Sequence, residues 1–369
     1  MSGVKCWDSH RIVKLELDFL KDHYTIMSLS TGLFKLDHNE EKIVVAIVGD
    51  VKGDKGGDDD QSHDKMINFY RNEHFGTDSL MRTKSVGALI NTINLNAELN
   101  NSVVPYRLSQ RALTQNLNAF ILLTNQGCKP IVHRPDGNDF RFMSAQQIEQ
   151  YAPEFCDQYE ASAALALDIR QVKEGRRTCI GYEDGHCALY EVKVNQDNDT
   201  AIVTNKWTQS YSSSVSSILF LDDVQLLVGA MWEGIVYYVD SSMGLDSGVQ
   251  VEESNSFDAV TALCKLRRLD GPGFCCGTFG KRLLVYSVKE GRCRRVWTRE
   301  FRNPILQIRS FDIVSSFMSI LLNLIIKIKT GDGLQDIAVL SSGGLHLLQV
   351  NYKLVVQKML SRIAETENN

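Results

Sequence analysis

The sequence lacks the short motifs that identify common enzyme classes. It contains no P-loop, G-x-S-x-G, H-E-x-x-H or dinucleotide-binding pattern. Its eight histidines are dispersed, and none stands at metal-ligand spacing from another. No C-x-x-C pair is present, so a structural zinc site has little support. We therefore predict a protein that is not an enzyme and that binds no cofactor.

Signals for secretion and for nucleic-acid binding are also missing. The first residues contain no apolar core of the kind found in signal peptides. A net charge of −5 and a pI near 5.9 disfavour a nucleic-acid partner. The nine cysteines are an odd number in a chain without a secretion signal, so we expect reduced core residues. Together these observations predict a cytoplasmic protein.

What the sequence does contain is a recurring cassette. Each copy reads as an apolar strand of about four residues, a turn with glycine, and a second strand that ends in an aromatic residue or leucine. The last copy includes Ile337 to Leu340, a short apolar run expected in a strand covered on both faces. The four copies are Arg177 to Val192, Gln225 to Asp240, Gly273 to Val288 and Thr330 to Val350.

The spacing of these cassettes indicates the fold. Equivalent positions on the second strands lie 48, 48 and 62 residues apart, at Tyr190, Tyr238, Tyr286 and Leu348. Self-similarity at such a period is typical of propellers and solenoids. A strand before each cassette and another after it would complete four strands, which make one propeller blade. We predict an all-β chain in which residues 1–351 form a single β-propeller.

Two helices are expected outside this pattern. Ser144 suits a helix N-cap, with Gln147 three residues later, so a short helix is predicted to Tyr151. Residues 352–369 are predicted to form a C-terminal amphipathic helix and tail, because apolar residues there recur at helical spacing. That helix would dock either onto the propeller itself or onto a partner.

Two charged stretches each leave two interpretations open. Residues 49–65 are rich in glycine and aspartate, and favour a solvated loop over calcium capture by Asp54, Asp58, Asp59 and Asp60. Residues 289–302 are basic, with Trp297 and Phe301 interleaved. They favour a solvated outer strand over a patch for nucleic acid or an acidic partner.

One turn carries a metal-site signature. The segment from Asp332 to Asp336, DGLQD, resembles the second half of the calcium loop of integrin-α-like (FG-GAP) propellers. In the family pattern the preceding strand leads directly into this turn, which would add Asp312 to the loop. As the sequence stands, Asp312 is displaced from Asp332 and Asp336, so we expect these three positions not to bind metal.

Longer segments show a more specific resemblance. TGDGLQDIAVLSSGGLHLLQ, from Thr330, resembles the last blade of the kaptin family. Further matches start at Ile43 (IVVAIVGDVKGDKGG), at Phe120 (FILLTNQGCKPIVHR) and at Phe257 (FDAVTALCKLRRLDG). The resemblance runs in order over most of residues 20–365.

This resemblance implies a seven-bladed β-propeller that serves as a subunit of the KICSTOR complex at the lysosomal surface. It would pair there with an FG-GAP-repeat propeller and be held by a very large scaffold subunit. The complex tethers the GATOR-type complex that acts on Rag GTPases, and so restrains TOR signalling when nutrients are scarce. The alternative is an actin-filament-associated protein, located at actin-rich cell edges.

The chain departs from the family in two places. Residues 314–329 interrupt the last cassette, and removing these 16 residues shortens the 62-residue interval to 46. We interpret them as a non-native insertion rather than a transmembrane helix, since the segment is short and contains Asn323 and Lys327. The family also has further strands before this chain starts. The seventh blade is therefore expected to be incomplete, or closed by residues 12–19.

Overall fold

A computed structural model shows a chain built almost entirely of antiparallel β-strands. The structure describes residues 4–8, 11–15, 24–36, 41–52, 63–72, 87–156, 162–195, 197–239, 244–245, 248–251, 258–268, 271–311, 336–341 and 344–348. Within these ranges lie five four-stranded sheets, one three-stranded sheet and one two-stranded hairpin.

The first half of the chain forms the hairpin and three sheets. The hairpin pairs β1 (Val4–Asp8) with β2 (Arg11–Leu15). Sheet I contains β3 (Tyr24–Lys35), β4 (Glu41–Lys52), β5 (His63–Asn72) and β6 (Gly87–Asn94). Sheet II contains β7 (Pro105–Ala112), β8 (Asn118–Thr124), β9 (Gly127–Arg134) and β10 (Asp139–Phe142). Sheet III contains β11 (Ala164–Val172), β12 (Gly175–Tyr182), β13 (His186–Val194) and β14 (Ala201–Ser210).

The second half forms three more sheets. Sheet IV contains β15 (Val215–Phe220), β16 (Gln225–Ala230), β17 (Gly234–Val239) and β18 (Val249–Gln250). Sheet V contains β19 (Val260–Arg268), β20 (Gly271–Thr278), β21 (Arg282–Lys289) and β22 (Arg292–Glu300). Sheet VI contains β23 (Ile305–Phe311), β24 (Asp336–Ser341) and β25 (Gly344–Leu348).

Every one of these sheets is a meander, in which each strand pairs with the strand that follows it along the chain. The predicted unit of a lead-in strand, a hairpin and an outer strand is therefore confirmed. Tyr190, Tyr238, Tyr286 and Leu348, whose spacing predicted the repeat, are each the fifth residue of the third strand of their sheet.

Apolar cores fill the spaces between consecutive sheets. In β8, Phe120 and Leu122 pack towards sheet I, while Ile121 and Leu123 pack towards sheet III. The same alternation places Cys275 and Cys276 in the cores on opposite faces of sheet V. Because both faces of the inner sheets are covered, their central strands are continuous apolar runs. This stacking is a propeller-like arrangement.

The first strands of the six sheets share one irregularity. A register shift breaks the pairing of each first strand with the second strand near its start, as in a β-bulge. The shifts lie at Ile26/Ser28, Pro105/Arg107, Ala164/Ala166, Val215/Ser217, Val260/Ala262 and Ile305/Gln307.

First strands of neighbouring sheets are joined by hydrogen bonds. Leu108 donates its backbone N–H to Ser28 Oγ (2.9 Å), and Leu263 does the same to Ser217 Oγ (2.9 Å). Asp168 of β11 accepts from Arg111 of β7 and from the backbone of Phe220 at the end of β15. The first strands therefore form the continuous inner layer of the stack.

Close approach between sheets III, IV, V and VI depends on three glycines spaced 48 residues apart. A Cβ atom on Gly181, Gly229 or Gly277 would overlap a methyl group on the first strand of the next sheet. The methyl groups belong to Val215, Val260 and Ile305. The glycines were not singled out by the sequence analysis, although their spacing repeats the period of the tyrosines.

A buried ion pair lies between sheets II and III. Arg176 and Glu154 both have fully buried side chains and form two hydrogen bonds, of 2.7 and 2.8 Å. Arg176 also donates to the carbonyls of Tyr151 and Leu113, and Thr178 donates to Glu154. Every charged atom in this pair has a partner.

The two predicted helical regions have different outcomes. The helix after Ser144 is confirmed as α2 (Ala145–Tyr151), with both hydrogen bonds of the capping box. A single helical turn, α1 (Leu95–Glu98), was not predicted. The C-terminal helix in 352–369 and the insertion at 314–329 lie outside the described residues, so both stay predictions.

Two expectations about burial were wrong. The run from Ile337 to Leu340 was expected to be covered on both faces, but Leu340 is 40% exposed. Cys156 was expected in the core and is exposed. For the seventh blade, β2 covers part of the possible closing strand 12–19 and pairs with β1 within the described residues, so the alternative of an incomplete blade stays a prediction. The number of blades and the single-domain boundary at 351 stay predictions.

Candidate protein-docking face

The turns between the second and third strands lie together at one end of the stack. In sheets II to V, a backbone N–H in or beside this turn donates to the carbonyl of the residue just before the first strand. The donor and acceptor pairs are Asn125 and Val104, Glu183 and Ala163, Met231 and Ser214, and Phe279 and Ala259. The same bond therefore fixes each turn against its own sheet.

Two of these turns present large aromatic side chains to solvent. Trp232 is 64% exposed and Phe279 is 61% exposed. The turns of sheets IV and V are also connected through the start of β19. Val260 donates its backbone N–H to the carbonyl of Met231 in the turn of sheet IV, and the preceding residue, Ala259, accepts from Phe279 in the turn of sheet V. We call Trp232, Phe279 and their turns the aromatic turn face.

Charged groups border this face. Arg282 forms an ion pair of 3.0 Å with Asp258, whose carboxylate also accepts from the backbone of Gly280. Glu233 accepts hydrogen bonds from the backbone and hydroxyl of Ser212. Exposed aromatic anchors inside a polar rim are typical of protein interfaces, where tryptophan, tyrosine and arginine contribute most of the binding energy.

The predicted metal positions do not come together in the described part of the chain. Asp336 is the first residue of β24, whereas Asp312 and Asp332 lie outside the described residues. The aspartates proposed as an alternative calcium site, from Asp54 to Asp60, lie outside them as well. Among the residues that the structure does describe, no group of three histidine, cysteine or acidic side chains is placed to hold a metal.

The basic segment 289–302 is placed as the sequence predicted. It contains β22, the outer strand of sheet V, in which every residue except Cys293 is exposed. Trp297 is 45% exposed on this strand. On sheet II, His133 contacts Asn138 Oδ1 through its ring nitrogen Nε2 (3.1 Å).

The buried cysteines are poor nucleophiles. Burial raises the pKa of Cys128 and Cys276 well above the ordinary thiol value, and raises the pKa of Cys293 to about 12. A thiol reacts as its thiolate, so these groups are inert at neutral pH. The cysteines that fill the cores therefore have a packing role, as the sequence indicated.

Comparison with known proteins identifies the family. The family model described as "KICSTOR complex protein kaptin" matches residues 14–226 and 221–360. This chain belongs to the kaptin family. The mouse (Mus musculus) KICSTOR complex protein kaptin is 26% identical over 298 residues, which cover 73% of this chain and 63% of the mouse protein. The chain thus spans less than two thirds of that relative.

One solved structure supports the fold, and the fold alone. Raptor from Chaetomium thermophilum aligns with a TM-score of 0.52 at 9% identity, over 89% of this chain and 24% of Raptor. A second structure, of BBS1N in complex with ARL6DN, aligns with a TM-score of 0.42 at 10% identity, over 86% of this chain and 76% of that one. In the described residues of this kaptin-family chain, no helix is long and apolar enough to cross a membrane.

Proposed function

We propose that this kaptin-family chain is a non-enzymatic adaptor subunit of a KICSTOR-type complex. The observation that carries the proposal is the family match across residues 14–360, which covers all six sheets. Its partners would be an FG-GAP-repeat propeller and a large scaffold subunit. Through them the chain would help recruit a GATOR-type complex to the lysosomal surface and restrain TOR signalling when nutrients are limiting.

We further propose that the aromatic turn face contacts one of these partners. Trp232 and Phe279 lie in rigid turns, so their side chains can be buried in an interface without ordering a loop first. Removing large central anchors typically costs more than 2 kcal/mol of binding energy each, on the order of a thirtyfold loss in affinity.

The test is affinity purification of the full chain from nutrient-starved cells, followed by quantitative mass spectrometry. We expect recovery of the partner propeller and the scaffold with the unmodified chain. Their absence would contradict the adaptor proposal. F-actin binding stays a prediction, and co-sedimentation with purified filaments tests it separately.

Two variants locate the docking face. The double substitution Trp232→Ala and Phe279→Ala should reduce partner recovery at least tenfold while leaving the thermal unfolding midpoint unchanged, because both side chains are exposed. Trp297→Ala, on the exposed outer strand β22, is the matched control and should retain normal recovery. If both variants recover the partners equally well, the adaptor proposal survives but its placement on this face does not.

A further inference from the structure

The outer strand of sheet V, β22, carries a concentrated positive charge. Its sequence, RCRRVWTRE, contains four arginines and one glutamate in nine residues. Among the outer strands of sheets I to IV, β6 and β18 have no charged residue, β10 has one aspartate and one arginine, and β14 has one lysine. Because the whole chain has a net charge of −5, β22 is a positive strip on a negatively charged protein.

A bulge in β22 brings three of its arginines onto one face. The register with β21 skips Val296, so the alternation of side chains is interrupted there. Residues on the two sides of the bulge that would otherwise point in opposite directions therefore share a face. This face contains Arg292, Arg294, Trp297 and Arg299. We call its three arginines the basic row.

The basic row lies on the side of sheet V that faces sheet VI. Arg299 and Trp297 pair with Leu283 and Val285, which belong to the core between these two sheets. Residues directly opposite one another in an antiparallel pair lie on the same face. The Arg299 guanidinium also lies 5.5 Å from the ring of Phe301, which packs against that core. This cation–π contact fixes one end of the row.

The charge of the row is not balanced within the described part of the chain. Arg292, Arg294 and Arg299 are exposed and form no ion pair with any residue that the structure describes. In sheet III, by contrast, an exposed-side arginine pairs with the glutamate directly opposite on the next strand. The residue opposite Arg292 is Lys289, a second positive charge. Like charges directly opposite destabilise a sheet, so an acidic group from outside would relieve this repulsion.

The edge of the sheet indicates the kind of partner. Among the described residues β22 pairs with β21 alone, so its other edge presents backbone N–H and C=O groups. Extended peptides bind such edges through their own backbone. Alternate side chains of an extended peptide lie about 6.8 Å apart, which matches the spacing of Arg292 and Arg294 on their strand. A nucleic acid is disfavoured, because the rest of this negatively charged chain would repel it.

We propose that the basic row binds an extended acidic segment of a protein partner along β22. Carboxylates at alternate positions of that segment pair with Arg292, Arg294 and Arg299. The site does not depend on the proposed adaptor role. All three arginines remain in Trp297→Ala, which is the control for the aromatic turn face.

The test measures fluorescence polarisation of a labelled peptide with the full chain. The peptide is as long as β22 and alternates glutamate with threonine. A peptide with glutamine in place of glutamate and a single-stranded DNA oligonucleotide of equal length are titrated in parallel. We expect saturable binding of the acidic peptide that weakens as sodium chloride is added, and no binding of the glutamine peptide. Tighter binding of the oligonucleotide would overturn the proposal in favour of a nucleic acid.

Variants assign the binding to one face of the strand. Arg294→Gln should weaken binding of the acidic peptide about threefold, and Arg292→Gln together with Arg294→Gln about tenfold. Arg295→Gln is the matched control, because it removes the same charge from the neighbouring residue on the opposite face. It should change the affinity less than twofold. The proposal is overturned if the acidic peptide does not bind, or if Arg295→Gln weakens binding as much as Arg294→Gln does.

Discussion

Arg176 and Arg107 both lie on strands of the stacked sheets, yet their surroundings are opposite. Arg176 lies between sheets II and III, and its guanidinium contacts a carboxylate and two carbonyls. Arg107 lies on β7, where burial, together with the charges of Arg309 and Arg111, lowers its pKa to about 10. A buried charge that is paired stabilises the contact between neighbouring elements, whereas a charge without a partner carries an uncompensated electrostatic cost.

Removing the partner of Arg176 should have the largest effect. Glu154→Ala leaves a buried guanidinium without its carboxylate, so we expect a loss of about 3–5 kcal/mol in the free energy of unfolding. Chemical denaturation measures this loss. Glu174→Ala is the matched control, because Glu174 is 73% exposed and its pair with Lys193 should contribute about 0–1 kcal/mol.

A second variant separates the charge from the packing. Replacing both partners, with Glu154→Leu and Arg176→Met, should recover most of the stability lost in Glu154→Ala, because apolar residues of similar volume leave no unpaired charge. If the double variant is as unstable as Glu154→Ala, the stability lost in Glu154→Ala comes from packing and not from an unpaired charge. The comparison between Arg176 and Arg107 would then be wrong.

The opposite sign is expected at Arg107. Its pKa is lower in the folded state than in the unfolded chain, so its protonated form destabilises the fold at every pH below about 10. Arg107→Gln should therefore raise the free energy of unfolding at pH 7.5, on the order of 1 kcal/mol.

The pH profile sharpens this prediction. The advantage of Arg107→Gln over the unmodified chain should shrink as pH rises above 10, where Arg107 loses its proton in the folded state. An advantage that stays constant from pH 8 to 11 would show that the substitution acts by a means other than charge.

The smallest effect is expected at Asp139, whose two arginine partners are exposed. Arg134 and Arg141 hold the pKa of Asp139 below its usual value, chiefly through the hydrogen bond from Arg134. The stabilisation is present above pH 4 and is lost as pH falls through the lowered pKa. Asp139→Asn should cost about 0–1 kcal/mol at pH 7 and progressively less as pH falls through the lowered pKa, whereas Asp136→Asn in the same turn should be neutral throughout.

The sequence allowed most of the sheet pattern to be predicted, because that pattern depends on local signals. Tyr190, Tyr238 and Tyr286 repeat every 48 residues, and each occupies the same place in its strand. The helix after Ser144 followed from two side chains and their capping bonds. Each of these features can be read from short stretches of sequence and from their spacing, without knowledge of which distant residues come into contact.

The candidate sites depend on contacts that local patterns do not contain. The exposure of Trp232 and Phe279 follows from their place at the tips of turns, which the apolar pattern could not distinguish from burial. Aligning the cassettes would have placed both residues in equivalent turns, and that signal was available.

The glycine contact between neighbouring sheets has a consequence during synthesis. Since each sheet is made from one continuous stretch of chain, it can form on the ribosome as soon as its last strand emerges. Its leading face stays uncovered until the following unit arrives to fit against Gly181, Gly229 or Gly277. A pause in translation after any of these units would therefore expose an aggregation-prone apolar surface. Chaperones would be expected to bind during the interval between the synthesis of one sheet and the next.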